Sequence, residues 1–168
     1  MGTRHEPLMR VCTIGVYGSD QHAFFAALED AGVDVFLDIR RRRAVRGPRY
    51  AFANARRLMH ELGVRGIAYR HILELAPTPD LLDLQHAADA EQRLRYSERT
   101  ALAPEYVRRY RAEILERFDF GALARELAQF RAPVLFCIER IPQACHRTLV
   151  APELARALGG AEIVDLLP

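Results

Sequence analysis

Short apolar runs alternate along this chain with longer stretches in which apolar residues recur every three or four positions. Residues 11–16 (VCTIGV) form a mostly apolar, partly β-branched run closed by Gly15, Gly18 and Ser19, which predicts a buried strand and a turn. Ser19 or Asp20 can cap the helix that follows, which turns Phe24, Phe25 and Leu28 inward and stops at Gly32. Residues 33–40 (VDVFLDIR) predict a second strand, with Asp34, Phe36, Asp38 and Arg40 on one side and Val35, Leu37 and Ile39 on the other. Leu58, Met59 and Leu62 at helical spacing predict a helix over 50–62, and a third strand is expected over 67–71. Helices are expected over 80–102, 104–118 and 121–130, interrupted by Pro104 and a turn at 119–121. A strand over 134–139, a helix over 148–158 and a strand over 162–166 close the pattern.

Strands that alternate with helices imply an α/β fold: a single domain with a mainly parallel sheet of about five strands, covered by helices on both faces. The 168 residues suit one such domain, with 1–10 as an N-terminal extension and 11–168 as the domain itself. Ligands of such sheets bind beyond the carboxyl ends of the strands, where the winding reverses. Polar residues collect at those ends: Tyr17 and Ser19, Asp38 and Arg40, Tyr69 and His71, and Glu139 with Cys145, His146 and Arg147. Four separate segments would thus meet at one crevice.

The sequences TIG (13–15), LDIR (37–40) and AYRH (68–71), with a late C-x-E-x5-C-H-R run (Cys137, Glu139, Cys145, His146, Arg147), resemble the DUF488 family over about residues 11–166. The resemblance implies a cytosolic α/β domain with no established activity. It places the presumed site at Asp38, Arg40, Tyr69, His71, Glu139, Cys145, His146 and Arg147. Two stretches depart from the family pattern, RRRAVRGPRYAF after the second strand and ELAPTP after the third.

Composition adds one feature to this picture. All 24 basic residues are arginine, and six of them (Arg40, Arg41, Arg42, Arg43, Arg46, Arg49) fall within ten positions. A guanidinium fork matches phosphate and carboxylate. The loop therefore suits a polyanion, with Tyr50 and Phe52 beside it to stack on a base, although a solvated basic loop has the same composition. Tyr106, Val107, Tyr110 and Ile114 form a helical stripe that reads as core. No run is long and apolar enough for a membrane span or a signal peptide, so a cytoplasmic protein without membrane contact is expected.

Asp38 and Glu139, with His71 or His146 nearby, could divide general acid and base roles, or could form a buried ion-pair lattice. Cys145, beside His146 and Arg147 at a helix start, could be a thiol nucleophile. If Glu139 neutralises the positive field there, or the thiol is buried, the thiol keeps an ordinary or raised pKa, and this second picture is the one expected. Arg40, Arg42, Arg43, Arg46, Arg147, Tyr69 and Ser19 are the expected substrate-binding residues. No metal is expected, because no CxxC pair exists and the adjacent Cys145 and His146 side chains should diverge. No cofactor is expected either, since the dinucleotide fingerprint and the Walker lysine are missing from the sequence. The expected function is acid-base, hydrolase-like chemistry on nucleic acid or a phosphorylated nucleotide-like substrate. The alternatives are a non-catalytic binding module for nucleic acid or an anionic metabolite, and a thiol enzyme using Cys145.

Overall fold

The computed structural model describes residues 9–168. Five parallel strands, β1 (Arg10–Ile14), β2 (Val35–Asp38), β3 (Ala68–His71), β4 (Pro133–Phe136) and β5 (Glu162–Leu166), form one sheet in the order β3-β2-β4-β1-β5. The helices are α1 (Gln21–Asp30), α2 (Ala55–Val64), α3 (Pro79–Glu91), α4 (Pro104–Glu113), α5 (Phe120–Glu126) and α6 (Arg147–Ala157). This is the single α/β domain that the alternation of patterns implies. Most of the expected N-terminal extension, residues 1–8, lies outside the described residues, and Arg10 already belongs to β1.

The alternation in β2 divides the core into two layers. Phe36 packs with Phe24 and Leu28 of α1, Leu58 and Leu62 of α2, and Phe136 of β4. Val35 and Leu37 face the opposite way, toward Leu81 of α3, Tyr106 and Tyr110 of α4 and Leu154 of α6. Burial of each such side chain contributes roughly 1.5–3 kcal/mol, so both layers hold the sheet in place. The stripe on α4 is core as expected: Tyr106, Tyr110 and Ile114 are buried, and the Tyr110 hydroxyl donates to the Leu75 carbonyl at 2.6 Å.

α1 and α2 cover one face, whereas α3 to α6 cover the other. The chain leaves β2 toward β3 on the first face and leaves the neighbouring β4 toward β5 on the second. These diverging exits open a crevice at the carboxyl ends of β2, β4 and β1.

Several expected boundaries are corrected. The helix expected over 80–102 stops at Glu91, because Arg93 takes a left-handed φ of 55° and the chain turns back through irregular structure and a 3-10 turn at Tyr96–Glu98. α4 stops at Glu113 and tightens into a 3-10 turn at Leu115–Arg117; α5 likewise gives way to Leu127–Gln129. The expected 50–62 helix is a 3-10 segment, Pro48–Ala53, followed by α2. β4 ends at Phe136 instead of 139, since the Ile138 carbonyl turns aside to accept from the backbone N–H groups of Val16 and Tyr17.

Candidate functional site

The loop that leaves β4 passes directly over the end of β1, and Gly15 makes the passage possible. A Cβ at position 15 would lie 1.8 Å from the Glu139 carbonyl oxygen. That oxygen accepts from Arg147 Nη1 at 2.6 Å, while Nη2 donates to the Arg140 carbonyl at 3.2 Å and Nε to Thr13 Oγ1 at 3.4 Å. Arg147 is wholly buried, and these three acceptors are neutral oxygens. Its role is to fix the loop that carries Glu139.

The Glu139 side chain reaches toward the α3 side of the sheet. Its Oε1 accepts from Arg99 Nη2 at 2.9 Å, and Arg99 Nη1 donates to Asp89 Oδ2 at 2.8 Å. Asp89 Oδ1 accepts from Gln85 Nε2 at 2.8 Å, and Gln85 Oε1 accepts from the Ala103 N–H at 2.8 Å. All four side chains are buried. The network ties α3 and the irregular segment after it to the floor of the crevice.

Beside Glu139 lies a buried cluster of Cys137, Cys145 and His146. Cys137 donates to Glu139 Oε2 at 3.2 Å, and Cys145 Sγ is 3.8 Å from His146 Nδ1. His146 Nε2 is 3.0 Å from the Ile39 carbonyl. A carbonyl only accepts, so Nε2 bears a proton, and Nδ1 is the nitrogen that faces the sulfur. The expected divergence of Cys145 and His146 is corrected: Cys145 is extended (φ −135°, ψ 146°) whereas His146 is helical (φ −62°, ψ −18°), and this break turns the two side chains together.

The electrostatics of the cluster also differ from expectation. Burial pushes the Cys145 thiol up, but the hydrogen bond with Cys137 and the charges of His146 and Arg147 outweigh it and hold Cys145 well below the ordinary thiol value. Burial likewise depresses His146, yet its interactions with Cys145 and Glu139 prevail and raise it. Cys137 goes up, through its hydrogen bond with Cys145 and its burial. Glu139 accepts from Arg99 and Cys137, and its charge acts on His146, which it helps to raise.

Asp38 belongs to a different group. It follows Phe36 on the α1/α2 side, fully buried, and accepts from Arg40 Nε at 2.8 Å and Nη2 at 2.7 Å in a bidentate pair. Arg40 also donates to the Ala53 carbonyl at 3.0 Å and lies 4.5 Å over the Phe136 ring. The Tyr69 hydroxyl donates to Asp38 Oδ2 at 2.7 Å and accepts from Arg43 Nη1 at 3.5 Å. His71 Nε2 is 2.9 Å from the Arg40 carbonyl. Asp38 therefore meets Arg40 and Tyr69, whereas Glu139 meets Arg99 and Cys137 across the sheet.

Tyr69 permits a direct check of this second group. Burial pushes its phenol up, Arg43 draws it partly back and Asp38 raises it further, to about 12 from the ordinary 10. A raised folded-state pKa contributes stability that is complete below pH 10 and is lost as pH rises through about 12. In an alkaline absorbance titration, the step removed by Tyr69→Phe should lie near pH 12; a missing step near pH 10 would contradict the geometry.

The remaining expected contacts divide clearly. Arg41 Nε donates to the Pro77 carbonyl at 2.5 Å, and Ser19 donates to the Val16 carbonyl at 2.9 Å within its own turn. Arg42, Arg46 and Arg49 are exposed. Arg49 lies 5.3 Å over the Tyr50 ring, at the edge of a cleft of about 610 Å³. Tyr17, Tyr50, Arg95, Arg99, Arg140 and Glu139 are among its walls. Tyr17 and Tyr50 meet edge to face at 5.1 Å, and Gly18, at φ +85°, donates its N–H to the Tyr50 hydroxyl at 3.1 Å.

A family model, the domain of unknown function DUF488, matches residues 20–154. The chain belongs to the DUF488 family. No curated protein and no solved structure matches it. The matched span contains the Asp38 group, the Cys137–His146 cluster and Arg99, while residues 13–15 precede it. Sequence reasoning on this DUF488 chain missed Gln85, Asp89, Arg95, Arg99 and Arg140. Gln85 and Asp89 carry a faint signal, polar residues four apart on one face of α3; Arg95, Arg99 and Arg140 carry none. Among the described residues no helix is long and apolar enough to cross a membrane.

Proposed function

We propose that this DUF488 protein is an enzyme acting on a phosphorylated, ring-bearing substrate of nucleotide type, bound in the cleft at the ends of β1 and β4. The observation that carries this reading is the cleft itself, where Arg95, Arg99 and Arg140 converge with two tyrosine rings around one carboxylate, Glu139. Guanidinium groups suit phosphate, and Tyr17 and Tyr50 offer faces and edges to a base. Glu139 is the acid-base group of this proposal. Asp38 serves instead as the anchor of Arg40 and Tyr69, and Arg147 as the support of the Glu139 loop. Cys145 stands behind Ala144 at 1 % exposure, which favours Glu139 over the thiol as the group that meets substrate.

The test is turnover by Glu139→Gln, whose amide keeps a hydrogen-bond acceptor for Arg99. Against a panel of nucleotides and sugar phosphates, the variant should lose about 100-fold or more in kcat and retain binding. Turnover that survives Glu139→Gln but is lost in Cys145→Ser would assign the chemistry to the thiol.

The position of the arginine loop favours a second reading, a nucleic-acid strand with one base in the cleft. Here the triple replacement of Arg42, Arg46 and Arg49 by Ala should flatten the dependence of log affinity on log salt by up to about 3 units. An unchanged slope in a filter-binding titration would leave the loop as a solvated surface.

A further inference from the structure

The buried cluster of Cys137, Cys145 and His146 has a geometry that packing alone does not require. One ligand atom from each, two sulfurs and an imidazole nitrogen, lies within 4.8 Å of the others. Both cysteines are free thiols. We propose that these three residues bind one zinc ion, with the remaining coordination position on the side of Glu139.

The first support is the ligand set. Two thiolates and one imidazole are soft and borderline donors that select zinc over magnesium or calcium. Two thiolates each about 2.3 Å from a tetrahedral zinc lie about 3.8 Å apart. Cys145 Sγ and His146 Nδ1 are 3.8 Å apart, and the widest separation in the cluster, up to 4.8 Å, closes with a side-chain shift of about 1 Å.

The second support is the orientation of His146. A metal-bound histidine commonly donates its other ring N–H to a carbonyl or carboxylate, which fixes the tautomer and aims the ligating nitrogen. His146 Nε2 has that partner in the Ile39 carbonyl at 3.0 Å, at the end of β2, so Nδ1 is aimed before any ion arrives.

The third support is charge. One Zn²⁺ replaces two protons of the cluster, so the net charge of the buried region is unchanged on binding. Arg99, Asp89 and Arg147 keep their existing partners, while Glu139 keeps Arg99 and gives up the Cys137 S–H. Glu139 Oε2, 3.2 Å from Cys137 Sγ, stands next to the open position. The inference is independent of the ligand proposed for the cleft.

Co²⁺ is the probe of choice, because tetrahedral cobalt bound to thiolate shows sulfur-to-metal charge transfer and intense visible bands. The full chain, reduced and stripped with a chelator, should take up one equivalent of Co²⁺ with both signatures and release it to one equivalent of Zn²⁺. Affinity should fall by about 100-fold or more in Cys137→Ser and in Cys145→Ser, and remain unchanged in Cys12→Ser, whose thiol lies elsewhere in β1. X-ray absorption of the zinc-loaded wild-type chain should count two sulfurs and one imidazole, a result that does not depend on the variants folding. A folded, reduced chain without the charge-transfer band, or zinc with only nitrogen and oxygen neighbours, would overturn the proposal.

Discussion

Gly15→Ala is expected to destabilise the protein by about 3 kcal/mol or more, a large share of a domain's stability. The new methyl would stand 1.8 Å from the Glu139 carbonyl oxygen, which is backbone and cannot swing aside. To relieve the clash the β4 exit loop must lift from β1, and it carries with it the acceptor that Arg147 Nη1 holds at 2.6 Å. Gly63→Ala is the control. Gly63 lies within α2 and a Cβ there meets nothing within 4 Å, so alanine should be neutral or should stabilise by up to about 1 kcal/mol. Urea unfolding of the two variants measures both. Equal stabilities would show that the β4 exit loop does not pack on Gly15 as described.

Arg99→Ala is expected to cost about 3–5 kcal/mol, the usual penalty for removing one member of a buried charge network. Its guanidinium lies between Asp89 and Glu139, at 2.8 and 2.9 Å, and its Nε also donates to the Ala144 carbonyl at 3.2 Å. Removing it leaves two buried carboxylates without this cation, so the loss should lessen when Asp89→Asn is added. A double-mutant cycle by chemical denaturation reads that coupling. A penalty below about 1 kcal/mol, with no coupling to Asp89, would place Arg99 outside the network.

The sheet was largely readable in the sequence because its strands are short apolar runs that leave little choice of face. Residues 33–40 show this well: their alternation sends Phe36 and Asp38 to one layer and Leu37 to the other, as the two cores confirm. The last strand, 162–166, has the expected bounds. The site was readable only in part. The polar residues at the strand ends fall into separate groups, Asp38 with Arg40 and Tyr69 and Glu139 with Arg99 and Cys137, and these pairings depend on contacts far apart in the chain. Residues 92–100 (QRLRYSERT) are compatible with a helix, and only the left-handed turn at Arg93 brings Arg99 back to Glu139. Asp38 and Glu139 were expected at neighbouring strand ends of one crevice, but Asp38 pairs in register with Phe136, so Glu139, an odd number of positions further on, falls on the opposite face, toward α3. The meeting of Cys145 and His146 rests on a change of backbone conformation between two adjacent residues, which no spacing rule encodes.

The proposed substrate site is the cleft between Tyr17, Tyr50 and its arginines, which should bind a phosphorylated ring. Isothermal titration with a set of nucleoside monophosphates and their unphosphorylated nucleosides tests it most directly, on the wild-type chain and on the Arg95→Ala/Arg140→Ala variant. At least one monophosphate should bind the wild-type chain, its parent nucleoside should bind at least 10-fold more weakly, about 1.4 kcal/mol, and the double variant should erase the difference. Binding of phosphorylated and unphosphorylated ligands with equal affinity, or no binding of any member of the set, would contradict the claim.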